Sequence, residues 1–126
     1  MIYGIGTDIV EIRRIQGNLD RHGRRFAERI LTPQEMAEFD ASARPAHFLS
    51  KRFAAKEALV KALGTGFRHG ISLKHIEVGR DEWGKPLMKF LGEAANRISS
   101  ANIGASHLSL SDETEYAVAF VVLERN

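Results

Sequence analysis

The chain contains no cysteine. That excludes a disulfide framework, a thiolate zinc site and a cysteine nucleophile, and it fits a reducing compartment. Long apolar runs are also missing. The longest, Tyr116 to Leu123, is eight residues, against the roughly 20 that a membrane-spanning helix needs. The first residues, MIYGIGTDIVEI, lack the basic stretch, apolar stretch and small-residue cleavage site of a secretory signal. A cytoplasmic location without membrane attachment is the expectation. No repeat, low-complexity segment or Pro/Gly/Ser-rich linker divides the 126 residues, so residues 1–126 are expected to form one domain. Neither G-x-x-x-x-G-K-[ST] nor G-x-S-x-G occurs, which removes a Walker-type nucleotide site and a serine-hydrolase elbow. His22, His47, His69 and His75 show no metal-ligand spacing.

What is present is globular in composition, with 44% apolar and 27% charged residues. The net charge is only +2 but unevenly placed. Six arginines (13, 14, 21, 24, 25 and 29) face Asp20 and Glu28. Between His47 and His69, Lys51, Arg52, Lys56, Lys61 and Arg68 face only Glu57, while the last sixteen residues carry a net charge of −3. Two basic segments in a near-neutral protein point to anionic partners, or to two solvated helix faces.

Residues 2–12 are β-branched and read as a strand, with Gly4 and Gly6 out of place unless something packs against the backbone. A helical pattern runs from about Glu11 to Ile30, breaking near Gly23. Thr32-Pro33-Gln34-Glu35 is a capping box opening a short helix to about Phe39. Pro45 starts the strongest helix, which is rich in alanine and ends at Gly64. Strands are expected over Ile71 to Val78 and Leu87 to Leu91, joined by the turn Asp81-Glu82-Trp83-Gly84-Lys85-Pro86, where Trp83 reads as hairpin packing. A helix over Glu93 to Ala101 and strands over Ala105 to Leu110 and Tyr116 to Leu123 complete the chain. Blocks of helices and hairpins imply an α+β fold with a largely antiparallel sheet.

Three groups of residues offer chemistry. Glu57 and Lys61 lie four apart on one helix face, where an ordinary surface ion pair would contribute at most about 0.5 kcal/mol. Around them, RFAAKEALVKALGTG is rich in small residues, which lets another chain or a ligand approach closely. Its glycine loop, Gly64-Thr65-Gly66, has amides able to bond a phosphate. Asp8 follows Gly4 and Gly6 on one strand face, as a ligand-site carboxylate or as a cap for the next helix. Together, Asp8 and Glu57 offer magnesium two carboxylates, with phosphate and water completing its octahedron. On the strand Ala105 to Ser111, His107, Ser109 and Ser111 share a face. His107 is a candidate for a ligand phosphate, for proton transfer, or for a bond to backbone at the core edge.

The segments GIGTDIVEIRRI, RFAERILTPQE, RFAAKEALVKALGTG, the GKP turn and HLSLSDETEYAVAFVVLE together resemble holo-acyl-carrier-protein synthase, the small single-domain class of phosphopantetheinyl transferases. The resemblance spans Ile5 to Glu124. It implies an α+β trimer with active sites between subunits. The implied activity is magnesium-dependent transfer of phosphopantetheine from coenzyme A to a serine of apo-acyl carrier protein, releasing adenosine bisphosphate, in fatty acid synthesis. By resemblance, Asp8 and Glu57 match the magnesium ligands, and Lys61 matches the lysine near the transferred phosphate. Arg52, Gly64, Thr65, Gly66, Lys85, Pro86 and His107 fall in segments that surround coenzyme A. Arg14, Arg21 and Arg25 fall where the family meets its acidic carrier protein. Many relatives carry histidine where this chain has Asp112.

Attack by serine on a pyrophosphate builds charge on its oxygens, which magnesium and a lysine stabilise. The serine proton has two candidate acceptors, Glu57 and a hydroxide held by the metal. A nucleic-acid-binding module is the rival reading. The arginine row has little aromatic interleaving, and no helix-turn-helix, RNP-type strand or zinc finger is present, so no nucleic-acid partner is expected.

Overall fold

A computed structural model describes all residues from Met1 to Asn126. The order of elements is β1 (Ile2–Glu11), α1 (Ile12–His22), α2 (Arg24–Ile30), α3 (Pro33–Ala41), α4 (Pro45–Leu63), β2 (Ile76–Arg80), β3 (Pro86–Phe90), α5 (Gly92–Ser100), β4 (Ile103–Asp112) and β5 (Tyr116–Arg125). The fold is α+β, and every strand pairing is antiparallel. The strands form two sheets, one ordered β1-β5-β4 and the other the hairpin β2-β3.

The centre of the molecule is α4 laid across β1 and β5. Its alanines make this approach possible: Ala54, Ala55 and Ala58 are fully buried and Ala62 nearly so. The strand contributes Gly4 and Gly6. A Cβ on Gly4 would fall 2.1 Å from the carbonyl oxygen of Ala62, and one on Gly6 would fall 2.0 Å from that of Ala58. The glycines therefore admit the backbone of α4, the close packing that their place in the strand called for. Ile2 leaves this face because a bulge shifts the register between Ile2 and Gly4. Along β5, Ala117, Ala119, Val121 and Leu123 turn inward and are fully buried.

The other face of this sheet has no covering layer within the chain. Ile5 and Ile9 of β1 are 59% and 64% exposed, and Phe120 of β5 is 44% exposed. The register places Val122 and Val118 opposite Ile5 and Ile9, with Phe120 opposite Thr7, so five apolar side chains share this face.

Thr32 caps α3 as expected: its hydroxyl accepts from the Glu35 amide, and the Glu35 carboxylate accepts from the Thr32 amide. Gly64 ends α4 in the left-handed conformation, at φ +80°. The strand expected over Ile71 to Val78 is shorter. A 3₁₀ turn occupies Leu73–His75, because Ser72 and His75 cap each other, and pairing begins only at Ile76. No helix is long and apolar enough to cross a membrane.

Candidate active site

Because Gly6 brings α4 against β1, the inward-facing residue two positions later, Asp8, meets that helix where Glu57 and Lys61 lie. The Lys61 ammonium donates to Asp8 Oδ1 at 2.9 Å and to the Thr7 carbonyl at 3.0 Å. The lysine is thus paired across elements with Asp8, not along its helix with Glu57 as the spacing suggested. Glu57 lies one turn earlier on α4. Burial raises its carboxyl above the ordinary carboxylate range, the charge of Asp8 raises it further, and Lys61 opposes both.

Asp8 and Glu57 line a cleft of about 470 Å³ together with Arg14 of α1, Arg29 of α2 and the rings of Phe26 and Phe53. No group of three or more histidine, aspartate or glutamate side chains converges anywhere as a metal site. A cation here would have two protein carboxylates and would take its remaining ligands from phosphate and water. That donor set suits magnesium, and the repulsion of Glu57 by Asp8 is what a divalent cation would relieve.

The remaining predicted residues are not all gathered in this cleft. Arg14 lines it, whereas Arg21 is exposed, donating to Asn18 Oδ1 at 3.2 Å, and Arg25 is exposed on α2. Arg24 is held by Asp40 at 2.7 Å and by Glu28 at 3.4 Å. Arg29 was not singled out by sequence, although it belongs to the same arginine-rich run and reaches the cleft directly.

Arg52 is a correction. Its side chain is 2% exposed, with the guanidinium 3.3 Å from Glu38, 4.6 Å above the Phe48 ring and its Nε without a hydrogen-bond partner. It braces α4 against α3 and is closed to a ligand in the isolated chain. The loop amides are a second correction, since those of Gly64, Thr65 and Gly66 all donate to the Val60 carbonyl as the helix cap. They are not free to cradle a phosphate.

His107 stands exposed on the outer face of β4, its Nε2 2.6 Å from Glu124 Oε1, and does not bond to backbone at a core edge. Asp8 looks inward and His107 outward, so one sheet separates them. Pro86 lines a different groove, of about 320 Å³, between the hairpin and β4, with Lys51, Arg80, Gly84 and Asp112. Asp112 lies 3.6 Å from Lys51. Lys85 is exposed in the hairpin turn next to this groove. A single chain therefore presents two separate grooves at opposite edges of the sheet: a carboxylate cleft at β1, and a basic groove at β4.

Over residues 4–121 the chain matches the 4'-phosphopantetheinyl transferase superfamily. It is 54% identical over 125 residues to the holo-[acyl-carrier-protein] synthase of Nitrosospira multiformis, covering 99% of this chain and 100% of the relative. The chain belongs to the holo-acyl-carrier-protein synthase family. The fold agrees with family structures. The crystal structure of the synthase from Neisseria meningitidis superposes with a TM-score of 0.94 at 46% identity, covering 99% of this chain and all of the other. The synthase from Bacillus anthracis, solved in complex with CoA (3',5'-ADP), superposes with a TM-score of 0.83 at 41% identity, covering 100% and 99% of the two chains. Membership in this family makes the chain a phosphopantetheinyl transferase.

Proposed function

We propose that the chain transfers phosphopantetheine from coenzyme A to a serine of apo-acyl carrier protein with magnesium bound, releasing adenosine 3',5'-bisphosphate, and so supplies holo-carrier protein for fatty acid synthesis. The observation that carries this reading is the cleft lined by Asp8 and Glu57, with Lys61 bonded to Asp8. The serine oxygen attacks the phosphorus joined to pantetheine. The bond from that phosphorus to the bridging oxygen breaks, and the serine loses its proton. Lys61, anchored on Asp8 and the Thr7 carbonyl, holds an ammonium where negative charge builds on the phosphoryl oxygens. Glu57, unlike Asp8, has no lysine bonded to it, and it is the group offered to the serine proton. Magnesium, held by Asp8 and Glu57, would supply further charge stabilisation at the pyrophosphate. Arg14 and Arg29 at the cleft, with Arg21 and Arg25 exposed nearby, provide a positive approach for an acidic carrier protein.

The test is to incubate the protein with coenzyme A, magnesium and apo-acyl carrier protein and weigh the carrier. A gain of one phosphopantetheine, abolished by a chelator and slowed as salt screens the arginines, is the expected result. An unmodified carrier from folded protein would overturn the reading.

The assembly that fits these surfaces is a homotrimer with its active sites between subunits. Two observations support it: the uncovered strip Ile5–Ile9–Phe120, and the placement of the carboxylate cleft and the basic groove on different sides of one chain. Sedimentation of the intact protein should give three protomer masses. Phe120→Asp should yield a folded monomer without transfer activity, and full turnover by such a monomer would refute the interfacial site.

A further inference from the structure

The hairpin between β2 and β3 presents an indole to solvent on a rigid support. Asp81 Oδ1 accepts from the amides of Trp83 at 2.8 Å and Lys85 at 2.9 Å. The Asp81 amide donates to the Lys85 carbonyl at 2.9 Å, and the Gly84 amide to the Asp81 carbonyl at 3.0 Å. Gly84 sits at φ +84°, a conformation that closes the turn and disfavours other residues. The turn is thus fixed by four hydrogen bonds, yet its one large side chain packs on nothing: Trp83 is 86% exposed. This corrects the expectation that the ring serves hairpin packing. An indole held out from an ordered turn is available to a flat partner.

Its surroundings say what kind of partner. Gly84 and Pro86, from the same turn, line the groove that also contains Arg80 and Lys51, and Lys85 is exposed beside it. In that groove Asp112 is the single acid, and it neutralises Lys51. Arg80 and Lys85 have no carboxylate within ion-pair distance, whereas Arg24, Lys56 and Lys61 all do. An exposed aromatic plane next to unpaired cations is the chemistry that recognises a purine nucleotide: the base stacks, and the phosphates meet the charges.

We infer that Trp83 is the stacking platform for the adenine of coenzyme A, with Arg80 and Lys85 drawing the phosphates of the nucleotide. This rests on the proposed transferase reading and adds to it a residue that grips the leaving group. The leaving nucleotide is then bound by contacts remote from the reacting phosphorus. Trp83 is accordingly expected to govern binding of coenzyme A and not the chemical step.

The chain has one tryptophan, so its fluorescence reports this site alone. Titrating the intact protein with adenosine 3',5'-bisphosphate, or with coenzyme A, should quench the emission saturably. Phosphopantetheine, which has no base, should leave it unchanged. Trp83→Ala should raise KM for coenzyme A about tenfold, with kcat and KM for the carrier protein unaltered. Trp83→Phe should restore most of the loss, because a ring remains to stack. Full transfer by the natural chain without quenching, and an unchanged KM in Trp83→Ala, would overturn this inference and leave the transferase reading standing. Absence of both transfer and calorimetric binding of coenzyme A would overturn the two together. Quenching by the carrier protein alone would reassign Trp83 to a protein contact and overturn the nucleotide role.

Discussion

Asp8→Ala and Glu57→Ala are each expected to lower the rate of phosphopantetheine transfer by at least about a thousandfold while leaving the protein folded. The two losses differ in cause. Asp8 anchors Lys61 and supplies one of the two carboxylates, so its removal frees the ammonium from its only side-chain partner. Glu57 has no lysine of its own. Its removal takes away the second carboxylate and the group offered to the serine proton. Asp8→Asn should separate the roles of Asp8, since an amide still accepts a bond from Lys61 but carries no charge for a cation. Transfer should therefore remain low in Asp8→Asn, and raising magnesium should recover it only in part. The measurement is the mass of the carrier protein over time at several magnesium concentrations, with circular dichroism confirming the fold. Transfer at the natural rate in either alanine variant would remove the metal assignment. Recovery of full activity in Asp8→Asn would reduce Asp8 to a holder of Lys61.

Much of this site was legible because strand period and helix period are local properties. The alternation of β1 placed Gly4, Gly6 and Asp8 on one face, as the structure does, and Pro45 and Gly64 marked both ends of α4. What alternation could not supply was the identity of the facing element. The glycines signalled a close approach to the strand's backbone, but not that α4 would make it. The same limit explains Lys61. Spacing alone offers the neighbour four residues away, but its partner Asp8 is 53 residues away and reaches it only through the close packing of β1. The loop amides failed as phosphate donors for a different reason. A glycine-rich segment directly after a helix must first satisfy that helix's last carbonyls, and here the Val60 carbonyl takes three amides.

The interior charges were the least legible feature. Glu35 was read only as the second half of a capping box, and Lys56 only as one cation in a basic stretch. In the fold both are fully buried. Glu35 Oε1 accepts from Lys56 at 2.6 Å and from the Thr32 amide at 2.9 Å, and Oε2 accepts from the Val78 amide at 2.9 Å. Lys56 also donates to the Ile30 carbonyl at 2.7 Å. One carboxylate therefore joins α3, α4 and β2. Burial lowers the Lys56 ammonium below its ordinary range, and Glu35 opposes that shift.

Removing one member of such a pair leaves the other as an uncompensated interior charge, which costs about 3–5 kcal/mol. Glu35→Ala should reach this range, because it strands the Lys56 ammonium and two backbone amides at once. Lys56→Met should cost less. The carboxylate left behind still accepts from Thr32 and Val78, and Arg52 stands 4.0 Å from its Oε2. The double variant should not return to the stability of the natural chain, since the two amides remain without an acceptor; a simple ion pair replaced by apolar groups would recover. Denaturant midpoints at one fixed protomer concentration measure all three, because association alters apparent stability. Equal costs for the two single variants would show that the ion pair, and not the amide bonds, fixes this junction. A loss below about 1 kcal/mol in Glu35→Ala would show that water reaches the site and that burial of the pair contributes little. Lys56 precedes Glu57 on α4, and Lys61 follows a turn later. The helix that carries the cleft is thus tied to α3 and β2 from its opposite side, and the position of both side chains depends on charges that never meet the substrate.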